Sequence, residues 1–177
     1  PNTLFHKKKN DLIPLLPKEN ENVEMLKLAC HSLEEMGLKR YEISAFARNN
    51  KISIHNSGYW TGRPFLGLGP SAFSYYEGSR FQNVSDLRKY TKGDFPLGFE
   101  EKLPYPANVC ELLAIGIRLH QGVNIAQFEQ TFAKIPLSTK KILKGLQEEG
   151  FLLYSPTNIS LTEKGRLFYD TVAECII

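Results

Sequence analysis

Cysteine is scarce in this sequence, and the spacing of the cysteines removes several classes of site. Cys30, Cys110 and Cys175 stand 80 and 65 residues apart. A metal knuckle needs cysteines a few residues apart, and a disulfide framework needs an even number of them. We therefore expect reduced cysteines that pack in the core.

Long apolar runs are also missing. No segment approaches the ~18 to 20 apolar residues of a membrane-spanning helix, and the first ten residues lack the apolar core of a signal peptide. The composition, 42% hydrophobic and 11% aromatic, is that of a folded globular chain. The sequence therefore predicts a cytoplasmic protein without a membrane span.

The sequence has no strongly basic region of the kind that binds nucleic acid. Residues 106–177 hold seven Lys or Arg and seven Asp or Glu, so the net charge of +3 belongs to residues 1–105. The tight basic run Lys7-Lys8-Lys9 lies near one end of the sequence and reads as a solvated loop. We expect no nucleic-acid partner.

Established catalytic signatures do not occur either. There is no Ser-His-Asp set, P-loop or paired-carboxylate pattern. Glu42 could act as a catalytic acid, although a strand residue that faces solvent is the favoured reading. Gly67-Leu68-Gly69-Pro70 lacks the full dinucleotide fingerprint but suits a backbone that approaches a cofactor.

The N-terminal part has an α/β pattern. A polar loop through Pro17 is followed by a predicted helix from Glu19 to Met36, which Gly37 ends. Tyr41–Ser44 then reads as a short strand. One such unit cannot complete a sheet, so we expect residues 1–105 to form the end of an incomplete TIM-type (β/α) barrel with cofactor-wall loops.

The middle of the chain predicts a hairpin and a domain boundary. Tyr75–Gln82 reads as a hairpin that turns at Glu77-Gly78, and Ser85 caps a short helix that ends at Thr91. The glycines and prolines of residues 93–106 mark the best boundary.

Residues 106–177 predict a small, mainly α domain with a winged-helix-like order. Short helices over 107–120, 125–132 and 138–149 precede a small hairpin and a final helix that runs to residue 177. Lys140, Lys141 and Lys144 would lie on the recognition helix of such a domain. Because this half carries no net charge, a structural or protein-contact role is favoured over DNA binding.

Residues 55–76 combine a histidine with many aromatic and glycine residues, which is typical of the wall of a ligand site. Gly62, Gly67 and Gly69 allow sharp turns, while Tyr59 and Trp60 offer flat apolar faces. His55 could be a metal or heme ligand, a proton shuttle or a buried structural histidine.

Five segments together resemble the oxygen-independent coproporphyrinogen III oxidase family of radical SAM proteins. They are Pro1-Asn2-Thr3-Leu4-Phe5, Tyr41-Glu42-Ile43-Ser44, His55-Asn56-Ser57-Gly58-Tyr59-Trp60, Gly67-Leu68-Gly69-Pro70-Ser71-Ala72 and Leu161-Thr162-Glu163-Lys164-Gly165-Arg166. The HNxxYW pattern is similar to the HemW-like heme chaperone branch. The family's cluster motif, CxxxCxxC, does not occur in these 177 residues. The chain therefore resembles only the C-terminal half of a family protein.

The resemblance also implies cofactors and site residues. It makes His55 the candidate ligand of heme or porphyrin iron, with Tyr59 and Trp60 packed on the macrocycle. It places Gly67, Gly69 and Phe73 near S-adenosyl-L-methionine (SAM), and the Pro1–Phe5 loop at the end of a barrel strand near the same ligand. The intact family protein would carry SAM and a [4Fe-4S] cluster, which needs three thiolates that this chain lacks.

The resemblance further implies a function. The chain is expected to be the C-terminal portion of a heme-binding chaperone that works with an N-terminal radical SAM half and a heme-acceptor protein. The alternatives are an oxygen-independent coproporphyrinogen III oxidase, which decarboxylates the porphyrinogen oxidatively to protoporphyrinogen IX, and a winged-helix interaction module.

Overall fold

The structure is a computed structural model that describes residues 3–93 and 96–177. Its α-helices are α1 (Leu4–Lys7), α2 (Lys9–Leu12), α3 (Glu19–Glu35), α4 (Ile54–Trp60), α5 (Leu87–Tyr90), α6 (Ala107–Gly116), α7 (Ile125–Thr131), α8 (Leu137–Glu148), α9 (Glu163–Leu167) and α10 (Tyr169–Ile176). Its strands are β1 (Lys39–Arg40), β2 (Phe46–Ala47), β3 (Phe73–Tyr76), β4 (Ser79–Asn83), β5 (Leu97–Glu101), β6 (Val123–Asn124), β7 (Leu152–Tyr154) and β8 (Asn158–Leu161). The α/β class is confirmed.

The first residues are helical, so the predicted polar loop through Pro17 is wrong. The Thr3 side chain accepts a hydrogen bond from the His6 amide and thereby caps α1, and α2 and a 3-10 turn follow. A Thr N-cap supplies an acceptor for an otherwise unpaired amide of the first turn. The predicted loop over Pro1–Phe5 therefore ends in a helix from Leu4 onward, while Pro1 and Asn2 lie outside the described residues.

The long predicted helix is confirmed as α3, but the strand after it lies elsewhere. Gly37 takes φ +78° directly after the helix, a conformation that favours glycine. The predicted strand Tyr41–Ser44 is instead the turn between β1 and β2, which pair antiparallel. Glu42 forms a single antiparallel bridge with Leu119, so this turn contacts the C-terminal part of the chain.

The strands form three antiparallel sheets in the order β1-β2, β3-β4-β5 and β6-β8-β7. A (β/α) barrel is built from parallel strands. Within residues 3–93 and 96–177 no pair of named strands is parallel. The barrel end therefore stays a prediction that these sheets do not support.

The predicted hairpin is confirmed as β3 and β4. Glu77 and Gly78 take φ +50° and +74°, the pair of positive values that a tight hairpin turn requires. One neighbouring prediction is wrong, because Asp86, not Ser85, caps α5. The predicted boundary over residues 93–106 contains β5, which pairs with β4, and the division of the chain into two domains stays a prediction. Asp94 and Phe95 of that boundary lie outside the described residues.

The main hydrophobic core lies in residues 106–177. Leu113, Ile117 and Leu143 are completely buried there, and α6 contributes more buried residues than any neighbouring element. The short helices and the β7–β8 hairpin match the predicted order, with β6 as an additional strand. The predicted final helix is two helices, because the chain bends at Phe168 (φ −113°, ψ 35°).

The helices before residue 37 bury little of their apolar surface. Leu15, Met25 and Leu28 are 78%, 59% and 65% exposed.

Candidate functional site

The segment expected to be a cofactor-wall loop begins with a helix. The Ser53 side chain accepts a hydrogen bond from the Asn56 amide and starts α4 at Ile54. Gly62, at φ +67°, ends it: the Gly62 amide donates to the Tyr59 carbonyl and the Arg63 amide to the Gly58 carbonyl. This pair of bonds is a Schellman cap. The segment therefore presents its side chains at helical spacing.

His55 and Tyr59 lie one turn apart on the same face of α4. The Tyr59 hydroxyl oxygen is 2.9 Å from His55 Nε2, and the two rings meet edge to face with centroids 5.0 Å apart. Phe65 packs on Tyr59 in the same way, at 4.6 Å. His55 is exposed. An exposed imidazole beside aromatic rings can accept a flat ligand at the protein surface.

Trp60 does not share that face. Successive helical residues are about 100° apart, and Trp60 points toward the C-terminal part of the chain, where the Arg118 guanidinium carbon lies 4.2 Å from its ring centroid. The same carbon lies 4.7 Å from the Tyr169 ring centroid. Burial raises the pKa of Tyr169, and the adjacent Arg118 opposes that rise. The structure thus brings His55 and Tyr59 together but separates Trp60 from them.

Glu42 is buried, so the expectation of a solvent-facing strand residue is wrong. It is 2% exposed, and its Oε1 accepts hydrogen bonds of 2.9 Å from both the amide and the hydroxyl of Ser44. Arg118 Nη2 lies 3.7 Å from Glu42 Oε2. A buried carboxylate is stabilised by such partners. Sequence reasoning missed Arg118, because no local pattern relates it to residue 42 or 60.

Three buried polar atoms in this cluster have no hydrogen-bond partner among the described residues. They are Glu42 Oε2, Trp60 Nε1 and Arg118 Nε. Two of these atoms are donors and one is an acceptor. The cluster joins the turn after β1, the end of α4 and the end of α6, so it fixes α4 against the C-terminal part.

A cavity of about 240 Å³ lies beside Trp60, between α4, α6 and α7. Leu112, Phe128 and Phe132 give it an apolar floor, and all the residues that line it are uncharged. Sites that enclose drug-sized ligands have volumes of roughly 300–1,000 Å³. The cavity is therefore smaller than the sites that enclose such ligands.

Gly67 and Gly69 have structural roles. The Gly67 amide donates to Ser74 Oγ (3.0 Å), and the Gly69 amide donates to the Tyr90 hydroxyl (2.9 Å). Both carbonyls accept from Asn83 Nδ2, at 3.1 and 2.9 Å. These backbone groups already make hydrogen bonds within the protein, so fewer of them can bind a ligand.

Phe73 offers the most accessible surface of the three residues expected near SAM. Its side chain is 47% exposed and contacts Phe99 edge to face at 6.3 Å. The role of Gly67, Gly69 and Phe73 in SAM binding stays a prediction.

Metal-binding groups do not cluster in the part of the chain that the structure describes. Within it no three His, Cys, Asp or Glu residues are arranged to hold a metal ion. Cys110 is buried beside the Thr139 hydroxyl (3.3 Å), while Cys30 is half-buried and Cys175 is exposed. These residues do not fit a [4Fe-4S] cluster, whereas a single imidazole such as His55 fits an axial heme ligand.

Ion pairs occupy part of the lysine group of α8. Glu129 Oε1 is 3.1 Å from Lys140 Nζ, and Glu129 Oε2 is 2.7 Å from Lys134 Nζ. These lysines, with Lys134 the larger contributor, lower the pKa of Glu129 to about 2. Lys140 is therefore engaged in an ion pair within the protein, whereas Lys141 and Lys144 are exposed.

In residues 3–93 and 96–177 no helix combines the length and the apolar character that a membrane span requires.

Comparison with known proteins defines the class of the chain. Its fold matches that of the Escherichia coli coproporphyrinogen III oxidase HemN, described as a radical SAM enzyme: the TM-score is 0.70 at 18% identity, over 91% of this chain and 42% of that one. Residues 108–168 match the HemN C-terminal domain. The chain is thus an α/β protein that includes a HemN C-terminal domain.

Sequence relatives identify the family. The heme chaperone HemW of Bacillus subtilis is 28% identical over 162 residues, which are 89% of this chain and 43% of that protein. The mitochondrial radical S-adenosyl methionine domain-containing protein 1 of Danio rerio is 49% identical over 183 residues, or 92% and 40%. The chain belongs to the oxygen-independent coproporphyrinogen III oxidase family of radical SAM proteins, and spans about two fifths of the length of these relatives.

Proposed function

We propose that the chain is the heme-binding C-terminal portion of a HemW-like chaperone, and that the open face of α4 receives the heme. The observation that carries the proposal is the pairing of His55 and Tyr59 on one exposed helix face, at 2.9 Å. Relatives named heme chaperone HemW support it. When heme is bound, its iron supplies the coordination site for an imidazole nitrogen.

The residues on this face have distinct roles in the proposal. His55 provides the lone pair, and Tyr59 fixes the orientation of the imidazole and, with Phe65, offers apolar surface to the macrocycle. Trp60 contributes at most one ring face, because Arg118 covers the other. The heme would then pass to an acceptor protein.

The other components belong to the complete family protein in this proposal. SAM and the [4Fe-4S] cluster would be held by an N-terminal radical SAM half, and Phe73 would lie near SAM. The exposed apolar side chains before residue 37 support contact with such a half. The barrel end over residues 1–105 and the winged-helix-like domain over 106–177 form part of the same proposal. The cytoplasmic location also stays a proposal, since the Danio rerio relative is named mitochondrial.

A hemin titration of the 177-residue chain tests the proposal. We expect His55→Ala to weaken hemin binding at least tenfold and to change the Soret band, because the axial nitrogen is lost. His31→Ala is the matched control: His31 is exposed on α3, with its imidazole 3.3 Å from Glu35. Unchanged binding and an unchanged Soret band in His55→Ala would contradict the assignment.

The fold similarity to HemN supports a second candidate, an oxygen-independent coproporphyrinogen III oxidase. In the complete protein, an oxidase would convert coproporphyrinogen III to protoporphyrinogen IX, and replacement of Phe73 would lower that turnover. A chaperone would instead bind heme without turnover. Assay of porphyrinogen oxidation by the complete protein separates the two.

The sheet order β6-β8-β7 beside α6, α7 and α8 supports a third candidate, a winged-helix interaction module. Of the lysines on α8, Lys140 is paired with Glu129 and residues 106–177 have no net charge. We therefore place protein contact ahead of DNA binding. Anisotropy of labelled duplex DNA that rises on binding and falls steeply with salt would contradict this order.

A further inference from the structure

At the end of α4 a hydrogen bond holds the backbone of Arg63 against the helix. Gly62 takes the left-handed conformation, and the Arg63 amide then donates to the Gly58 carbonyl at 3.0 Å. This Schellman geometry fixes the backbone of Arg63 relative to α4. The helix cap therefore fixes the point from which the Arg63 side chain starts.

The Arg63 guanidinium lies where a side chain at position 58 would stand. Its Nη2, Cζ and Nε atoms are 2.5 to 2.7 Å from the point at which a Cβ of residue 58 would lie. A Cβ at residue 58 would push the guanidinium away from this position, and Gly58 is buried beneath it. Because residues 55 and 58 are three apart in a helix, this position is a neighbour of His55, with side-chain origins about 5–6 Å apart.

The charge of the surrounding sequence has one sign. Between Glu42 and Glu77 the chain contains no Asp or Glu, yet it contains Arg48, Lys51 and Arg63. The planar, permanently charged guanidinium is well suited to pair with a carboxylate through two parallel hydrogen bonds.

We propose that Arg63 binds a carboxylate of the ligand held on the α4 face, with Gly58 as the residue that makes room for the guanidinium. In the proposed complex the ring of the macrocycle contacts Tyr59, its centre is reached by His55 and a peripheral carboxylate pairs with Arg63. This inference rests on the proposed function and adds a residue that selects for acidic ligands.

The test compares hemin, which has two free propionates, with hemin dimethyl ester, in which both are esterified. The 177-residue chain is expected to bind hemin about two- to fivefold more tightly than the ester, since an exposed charge pair contributes on that scale. Arg63→Gln removes the charge at an exposed position and is expected to bind both compounds with the affinity that the unaltered chain has for the ester. Far-UV circular dichroism checks that the variant is folded.

Two further variants separate this role from a general effect of charge or stability. Gly58→Ala places a methyl group in the space of the guanidinium, so it is expected to remove the preference for hemin, although alanine favours helix more than glycine does. Arg48→Gln removes a charge from the same segment, where Arg48 Nη2 donates to the Met36 carbonyl at 2.6 Å. We expect Arg48→Gln to keep the preference.

The possible results separate the role of Arg63 from the proposed binding of heme by His55. Equal affinity of the unaltered chain for hemin and its ester, or an undiminished preference in Arg63→Gln, would overturn the role of Arg63. If His55→Ala still lost hemin binding in that case, the proposed function would stand. If His55→Ala bound hemin normally while Arg63→Gln lost the preference, the iron ligand would be wrong and the carboxylate contact would stand.

Discussion

Replacement of Gly67 by alanine separates a structural glycine from one that a ligand requires. A Cβ at residue 67 would overlap the Phe73 carbonyl oxygen, which is a backbone atom at the start of β3 and cannot rotate away. The loop would have to move, and the hydrogen bonds of the Gly67 amide to Ser74 and of its carbonyl to Asn83 would be lost. Ser74 is 1% exposed, so its hydroxyl would be left unpaired in the interior.

These losses give the expected magnitude. An unpaired buried hydroxyl destabilises by about 1–3 kcal/mol and a lost hydrogen bond by about 0.5–1.5 kcal/mol. We therefore expect Gly67→Ala to lower the free energy of unfolding by about 2–4 kcal/mol without any ligand present. Urea denaturation followed by circular dichroism and by Trp60 fluorescence measures this change.

Gly145 provides the matched control. It lies inside α8, and a Cβ there would meet open space, so Gly145→Ala is expected to raise the free energy of unfolding by up to ~1 kcal/mol. If Gly67→Ala were as stable as the unaltered chain, the close approach to Phe73 would not explain this glycine. A contact with SAM would then be the better explanation.

Three further predictions concern α4 and the ion pairs. Because the folded pKa of Glu129 is lowered from 4.5 to about 2, its stabilisation is complete above pH ~4.5 and is lost as the pH falls toward ~2. The pKa shift sets an upper limit of about 3 kcal/mol on the contribution of Glu129 to the free energy of unfolding. We expect about 1 kcal/mol, because Lys134 is 82% exposed. A stability difference between Glu129→Gln and the unaltered chain that did not change with pH would contradict this. Ser53→Ala should destabilise the chain by ~1 kcal/mol through the lost cap of α4, measured by thermal unfolding, and an unchanged midpoint would refute it. Tyr59→Phe removes the hydrogen bond that orients the His55 imidazole but keeps the aromatic ring, so it should weaken hemin binding less than His55→Ala does, and a titration that showed an equal loss would contradict this division of roles.

Much of the secondary structure was predictable because its signals are local. The helix α3 shows an apolar repeat and a C-terminal glycine, and the Glu77-Gly78 pair marks the β3–β4 turn. The helix α4 was missed because its glycine and aromatic residues are typical of loops. Ser53 before it and Gly62 after it are the capping signals that indicate it.

The remaining errors depend on contacts between distant residues. Burial of Glu42 requires Arg118, and strand β5 forms inside a glycine- and proline-rich segment because β4 supplies its hydrogen bonds. For the site, the family resemblance grouped His55 with Tyr59 and Trp60, and the structure brings His55 and Tyr59 together because they stand one turn apart on α4. The sequence could not show that Trp60 faces Arg118, because that contact joins parts of the chain far apart in sequence.

The most direct test of the central claim is rescue of a His55→Gly variant by free imidazole. If His55 coordinates the heme iron, the variant should lose the Soret band of the unaltered chain, and millimolar imidazole should restore that band by entering the vacated position. A Soret band in His55→Gly that matches the unaltered chain before imidazole is added would show that another residue holds the iron, and would contradict the account.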